Sequence, residues 1–242
     1  RLIDESESHC NVNGINCLKV QPLFSDVNID SFHKILDCFN DYFPEGEAGF
    51  TFPLFQHPVD ANTIFMSSND SIRKSTNGGI NWTSLPNFPL DFPMSYAEIA
   101  PTDGNILYAG SFNGKVTKSI DGGQSWTDIS PTGIGEFAGI NWITIHPTLA
   151  NRLTIALTGA DNFAKYMEST NGGTTWVDIT SNLPNIGSQC VVYEGDVNDG
   201  IYVGMSPGLF FKDNTTGGQW ANAGASRGLP NTSIVDLEIA HG

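Results

Sequence analysis

Ser119-Ile120-Asp121-Gly122-Gly123-Gln124-Ser125-Trp126 is the clearest of four copies of one eight-residue pattern. It recurs as Ser75-Thr76-Asn77-Gly78-Gly79-Ile80-Asn81-Trp82 and Ser169-Thr170-Asn171-Gly172-Gly173-Thr174-Thr175-Trp176, with a worn copy from Asp213 through Gly217 to Trp220. The copies start 44, 50 and 44 residues apart, and such a period signals a repeat architecture. An Asp or Asn followed by Gly-Gly between β-forming runs is the chemistry of a tight hairpin, because glycine supplies φ > 0 and the Asx side chain bonds nearby backbone N–H groups. Ser75, Ser119 and Ser169 add a hydroxyl to that turn. Four of the five tryptophans close a copy, placed to fold their rings back over the hairpin and bury it.

Four short strands surround each copy. The openings are Phe50–Phe55, Tyr96–Ala100, Trp142–His146 and Cys190–Tyr193. Three of them run into turns, His57-Pro58 to Asn62, Pro101 to Asn105 and His146-Pro147 to Asn151, while Glu194-Gly195-Asp196 replaces the fourth. A second strand follows each turn, a third leads into the repeated pattern, and the Trp opens the fourth. The expected architecture is all-β: a β-propeller of four-stranded antiparallel blades at 49–90, 91–135, 136–185 and 186–230, with 233–240 opening a further blade. Residues 1–48 differ. They are irregular and hold Cys10, Cys17 and Cys38, and the spacing of Phe32, Ile35, Leu36, Phe39 and Phe43 suits a short helix over 30–43.

The pattern S-x-[DN]-x-G-x-x-W resembles the Asp-box of BNR-repeat propellers, a superfamily that includes sialidases, xyloglucanase-type glycoside hydrolases and sortilin-type receptors. The stretch 169–184, with Tyr202–Asp213 and Gly228–Asn231, looks like large secreted Bacteroidetes proteins that join such propellers to adhesive modules and a sorting signal. The resemblance implies a structural role for the box residues (Ser75, Asn77, Gly79, Trp82; Ser119, Asp121, Gly123, Trp126; Ser169, Asn171, Gly173, Trp176; Asp213, Gly217, Trp220), which lie on the outer rim in the family. It also implies that this chain is part of a larger ring, although residues 1–48 could instead supply the missing strands. Fold alone licenses no function.

Composition narrows the partners. With 26 acidic against 11 basic side chains the net charge is −15, which opposes binding to nucleic acid or to an anionic membrane surface. No run of apolar residues is long enough to span a bilayer, so no membrane insertion is expected. The chain opens at Arg1 without a signal peptide, as a processed product or excised fragment would. The cysteines lack the paired spacing of a zinc site, so neither metal nor cofactor is expected; in an exported protein, Cys10–Cys17 is the simplest disulfide.

Glycan hydrolysis needs two positioned carboxylates. Candidate acids on loops include Glu45, Glu47, Asp91, Asp161, Glu194 and Asp196, and the sequence pairs none of them, so the catalytic residues are unknown and turn chemistry accounts for each. A sialidase also needs clustered arginines, and the chain has only Arg1, Arg73, Arg152 and Arg227. His57 and His146 occupy equivalent pre-proline positions, which argues for turn packing. Asn-x-Ser/Thr triplets at Asn69, Asn81, Asn214 and Asn231 matter only in a host that glycosylates. The favoured reading is a non-catalytic recognition or scaffold module of a secreted or cell-surface multidomain protein. It would bind a glycan or a surface protein through loops at one propeller face. The alternative is a polysaccharide-acting hydrolase of the xyloglucanase type.

Overall fold

Each repeat supplies four β-prone runs separated by turn residues, and each run becomes one strand of an antiparallel meander. The computed structural model describes residues 11–12, 15–16, 54–67, 71–89, 93–135, 138–159, 163–224 and 232–239. Blade 1 is β3 (Leu54–Gln56), β4 (Ile64–Ser67), β5 (Ile72–Ser75) and β6 (Thr83–Ser84). Blade 2 is β7 (Met94–Ile99), β8 (Leu107–Ser111), β9 (Val116–Ser119) and β10 (Thr127–Asp128). Blade 3 is β11 (Ile140–His146), β12 (Leu149–Leu157), β13 (Tyr166–Ser169) and β14 (Val177–Asp178), and blade 4 is β15 (Ser188–Tyr193), β16 (Ile201–Met205), β17 (Gly208–Lys212) and β18 (Ala221–Asn222). A separate ladder pairs β1 (Asn11–Val12) with β2 (Ile15–Asn16). It lies between Cys10 and Cys17 in the chain; both cysteines, and the helix expected over 30–43, fall outside the described residues.

Blades stack face to face because neither face of such a sheet can remain in water. Phe55, Phe65 and Ile72 of blade 1 meet Met94, Ala97 and Leu107 of blade 2. Tyr108 and Val116 of blade 2 then meet Ile143 and Ile155 of blade 3, whose other side places Ala156, Tyr166 and Ile179 against Val191, Val203 and Trp220 of blade 4. Second strands are buried on both faces, which is why β4 and β8 read as almost continuous runs of small or apolar residues. First strands β7, β11 and β15 lie against one another at the inner edge, while the two-residue fourth strands hold exposed or half-buried residues at the outer edge.

The repeated turn is a hydrogen-bonded staple. Buried Ser119 accepts the Gly123 N–H at Oγ (2.8 Å) and donates to Asp121 Oδ1 (2.8 Å), which in turn accepts the N–H groups of Gln124 and Ser125 (both 2.9 Å). The hydroxyl of Ser125 is the largest of the bonds that draw the Asp121 carboxyl down to about 2. Ser75 and Ser169 make the same bonds to Gly79 N (2.9 Å) and Gly173 N (2.8 Å). In the worn copy Asp213 stands in the serine's place and accepts Thr215 N (2.7 Å) and Thr216 N (3.0 Å), and the positive φ angles move one residue on, to Gly217 and Gly218. Ser119→Ala should cost about 1–2 kcal/mol in urea unfolding, because it strands a buried N–H. A loss no larger than that of an exposed Ser→Ala control would remove the staple from the stability argument.

The tryptophans depart from expectation in a specific way. Trp82 does donate back to its own turn, at Gly79 O (3.0 Å). Trp176 Nε1 instead donates to Ile129 O of blade 2 (2.7 Å), and Trp220 Nε1 to Ile179 O of blade 3 (2.7 Å). Trp126 packs against Phe88 at the blade 1–2 boundary. From the second blade onward the ring latches a blade to its predecessor. In blades 2 and 3 the second glycine of the turn serves the same contact: a β-carbon on Gly123 or Gly173 would collide with Leu85 or Ile129 of the preceding blade.

Repeated turns and first-to-second-strand turns share one face of the stack, laced by Gly78 N to Asn62 O (2.9 Å), Gly122 N to Asn105 O (3.0 Å), Gly172 N to Asn151 O (2.7 Å) and Asn214 N to Asn198 O (2.9 Å). The opposite face carries the other connections. Of residues 233–240, expected to open a further blade as a strand, 233–239 are described and join no sheet; Ile234 N donates to Met205 O at 3.1 Å.

Candidate functional site

Among the described residues, ionisable side chains converge in two places. The first is the seam between blades 3 and 4 on the repeated-turn face. Arg152 on β12 donates through Nε to Glu168 Oε1 on β13 (2.8 Å) and through Nη1 to Asp199 Oδ1 (2.5 Å) in the turn before β16. Tyr193 donates to Glu168 Oε1 (3.0 Å) and shares a bond with Thr154 Oγ1 (2.7 Å), while its ring lies under the Arg152 guanidinium at 5.1 Å. His146 Nε2 reaches Asp199 Oδ1 at 3.3 Å. The Arg152 bond lowers the Asp199 pKa; burial opposes the charge on Arg152, but the Asp199 bond and the acids around it raise its pKa overall. A cleft of about 320 Å³ opens beside the cluster, with Lys212, Asp213 and Asn214 on its wall.

Chemically this is a clamp. Glycoside hydrolysis asks one carboxyl to hold a proton and another to act as base or nucleophile. Here one guanidinium serves both carboxylates, and its bond draws the Asp199 pKa down, so Asp199 is unsuited to the proton-donor role.

The second place is the inner edge between blades 2 and 3. Glu98 on β7 is half-buried beside Tyr96, whose ring sits 4.6 Å from that of Trp142. Burial pushes the Glu98 carboxyl up to about 8. The sequence reading passed over Glu98 because it stands in an otherwise apolar strand. Its available signal was a charge at a position where the ladder of blade 1 places Phe55.

A raised carboxyl pKa means the folded state holds the proton more tightly than the unfolded chain. Glu98 therefore contributes its full stabilisation below the ordinary value of 4.5 and loses it as pH rises toward about 8. Stability should fall by up to about 1.4 kcal/mol per pH unit across that window. Urea midpoints measured through it should show the slope in the wild type and a flatter line in Glu98→Gln; parallel lines would reject the assignment.

The residues named from sequence divide as follows. Glu45, Glu47, Asp91, Asp161, Arg1 and Arg227 lie outside the described residues, as do Asn69 and Asn231. Glu194 folds over Gly200, and Asp196 accepts the N–H groups of Asn198 (3.1 Å) and Gly200 (3.3 Å), so both belong to a turn. His57 Nδ1 accepts Val59 N (3.2 Å) and Asp60 N (3.1 Å); His146 Nδ1 likewise accepts Thr148 N (3.2 Å). Each imidazole caps its own turn and abuts a turn of the following blade, at Gly104 and at Asp199. Among the described residues no three His, Cys, Asp or Glu side chains gather as a metal-binding group, and no helix is long and apolar enough to cross a membrane.

Four-stranded antiparallel sheets stacked through their faces around first strands define a β-propeller. Solved structures of that architecture are similar to this chain. An ancestral GH74 enzyme matches 72% of it at 22% identity and a TM-score of 0.56; the GH74 xyloglucanase from Xanthomonas campestris matches 70% at 15% identity and 0.57; the GH74 enzyme from Niastella koreensis matches 70% at 19% identity and 0.55. The matched part spans 24%, 30% and 29% of those chains, and identities this low show the fold alone. No protein-family model and no curated protein matches the sequence.

Proposed function

We propose that the chain is an Asp-box propeller module of a secreted or cell-surface multidomain protein, of the kind found in large Bacteroidetes proteins, and that it recognises a glycan without cleaving it. The carrying observation is the Arg152 clamp: the carboxylates that the fold brings together, Glu168 and Asp199, are ion-paired and partnered by Tyr193 and His146. The repeated turns spend their polar groups on their own backbone, which leaves the opposite face for contact. Its connections present Phe163, which is 51% exposed, and the exposed Asn185, with Ile134 and Ile186 half-buried beneath that surface. Aromatic rings beside amides suit a sugar's apolar face and hydroxyls. A net charge of −15 favours a neutral glycan over a polyanionic one.

Affinity electrophoresis through soluble xyloglucan and other neutral β-glucans tests this. The expected result is retardation without release of reducing ends, weakened in Phe163→Ala. No retardation in any of these glucans would reject glycan recognition and favour a protein ligand for the same loops.

The alternative, a xyloglucanase-type hydrolase, draws on Glu98, an acid that keeps its proton near neutral pH beside Tyr96 and Trp142. Reducing ends released by the wild type and not by Glu98→Gln would establish it.

A further inference from the structure

Worn though it is, the fourth repeated turn changes what faces its neighbour. The ladders pair Ile64 with Ser75, Leu107 with Ser119 and Leu153 with Ser169, but in blade 4 they pair Ile201 with Lys212. The turn has slipped by one residue, to Asp213 and to Gly217 and Gly218, and such a slip sends a strand-end side chain to the other face of its sheet. Lys118 of blade 2 lies beside Tyr108 and reaches forward, donating to Asn151 Oδ1 of blade 3 (2.8 Å). Lys212 reaches backward: its ammonium sits 5.1 Å from the ring of Trp220, whose indole is bonded to blade 3.

Blade 3 meets it with the opposite charge. Glu168 holds the ladder position that Lys74 and Lys118 hold in blades 1 and 2, on the face turned to blade 4. Lys212 and Glu168 therefore line the cleft of about 320 Å³ from its two walls. They do not pair, for the ion pairs of this seam join Arg152 to Glu168 and Asp199, and His146 to Asp199. Both groups are held in place all the same. Glu168 accepts Arg152 Nε and the Tyr193 hydroxyl on Oε1, which leaves Oε2 open; Lys212 rests against the Trp220 ring, and burial draws its pKa down. Among the described residues, Lys212 Nζ, Glu168 Oε2, Arg152 Nη2 and the Asn214 side-chain amide make no hydrogen bond.

The lining decides the class of ligand. A cleft of this size falls at the lower end of small-molecule sites, about 300–1,000 Å³. An anion would meet Glu168, Asp199 and Asp213, and a cation would meet Arg152 and Lys212. A zwitterion's two charges answer only two of the four open groups. A hydroxyl both donates and accepts, so neighbouring hydroxyls on one ring link an ammonium to a carboxylate and satisfy both.

We propose that the seam between blades 3 and 4 is a saccharide site, in which adjacent hydroxyls of a neutral sugar ring bridge Lys212 Nζ and Glu168 Oε2, with Asn214 and Arg152 bonding the rest of its edge. A second depression, lined by Leu149, Ala150 and Thr170, shares Arg152 with the cleft and receives the next ring of a chain. The ligand class rests on the glycan reading above; the site itself is separate, on the face opposite the loop that carries Phe163.

Nitrogen–proton correlation spectra of the 242-residue chain, titrated with methyl β-glucoside, methyl β-xyloside and cellotriose, read the seam through the Trp220 indole and Asn214 amide signals. Saturable shifts of both signals are expected with at least one of these sugars. Lys212→Met should weaken that binding roughly tenfold, the loss of one charge-assisted bond. Asn214→Ala, at an exposed residue, should weaken it roughly threefold with the fold intact. Phe163→Ala should leave these shifts unchanged even where it weakens retardation in glucan gels, so the seam and the loops succeed or fail separately. Absence of saturable shifts would overturn the seam site whatever the gels show. So would shifts that survive both seam substitutions, or shifts that glycine produces at lower concentration than any of the sugars, which would make the ligand a zwitterion.

Discussion

Trp220→Ala is expected to destabilise the protein by about 3–5 kcal/mol, the range for deleting a large buried aromatic. Trp220 is 4% exposed, packs near Tyr166, and carries Lys212 over its ring at 5.1 Å. Its indole donates to Ile179 O of blade 3, and its backbone exchanges two bonds with the Asn182 amide (2.8 and 2.9 Å), so the deletion opens a cavity and strands a carbonyl. Trp220→Phe should cost less, about 1–2 kcal/mol beyond its loss of area, because packing survives and only the indole bond is lost. Trp82→Ala is the control. That ring bonds its own turn, and its loss should be well below that of Trp220→Ala in urea titrations. Equal losses would show that the ring works within its hairpin, as the sequence alone suggests, and not between blades.

Arg152→Met should cost about 3 kcal/mol, through the carboxylates it abandons more than through its own contacts. Arg152 and Glu168 are each 18% exposed at the side chain, so Glu168 would keep Tyr193 as a donor but only the unbonded Lys212 as a counter-charge. Asp199 is 35% exposed and retains His146 and water, so less of the loss belongs to it. The diagnostic measurement is a double-mutant cycle. Arg152→Met combined with Glu168→Gln should lose clearly less than the sum of the single losses, since the second change removes the charge the first leaves unpaired. Strict additivity would mean that Arg152 acts by packing on Tyr193 alone. The prediction also bears on function: a clamp whose removal destabilises without altering glycan retardation is structural, whereas concerted loss of both would move the binding site to this seam.

The inter-blade charge cluster was legible in principle. The position before the repeated turn holds Lys74, Lys118 and Lys212 in three copies and Glu168 in the third, and Arg152 faces it from the neighbouring strand. Overlaying the repeats would have shown a lone reversal of sign. Glu98 was harder to see, because a single carboxyl in an apolar strand reads as an ordinary outward residue until the packing of the next blade covers part of it. His57 and His146 stand at the opposite extreme, since equivalent positions in two repeats already argued for turn packing.

Sequence by itself determined the local chemistry: where chains reverse, which residues staple the turns, and that several equivalent units must stack. Those features depend on residues within a few positions of one another, so spacing and φ preference suffice to read them. Only the tertiary structure decided that the Trp rings reach backward to the preceding blade, that Arg152 binds two acids at once, and that residues 234–239 lie on blade 4 without a sheet of their own. Each of those facts depends on surfaces distant in the chain being pressed together, and burial changes what a carboxyl, an indole N–H or a bare sheet face can stably do.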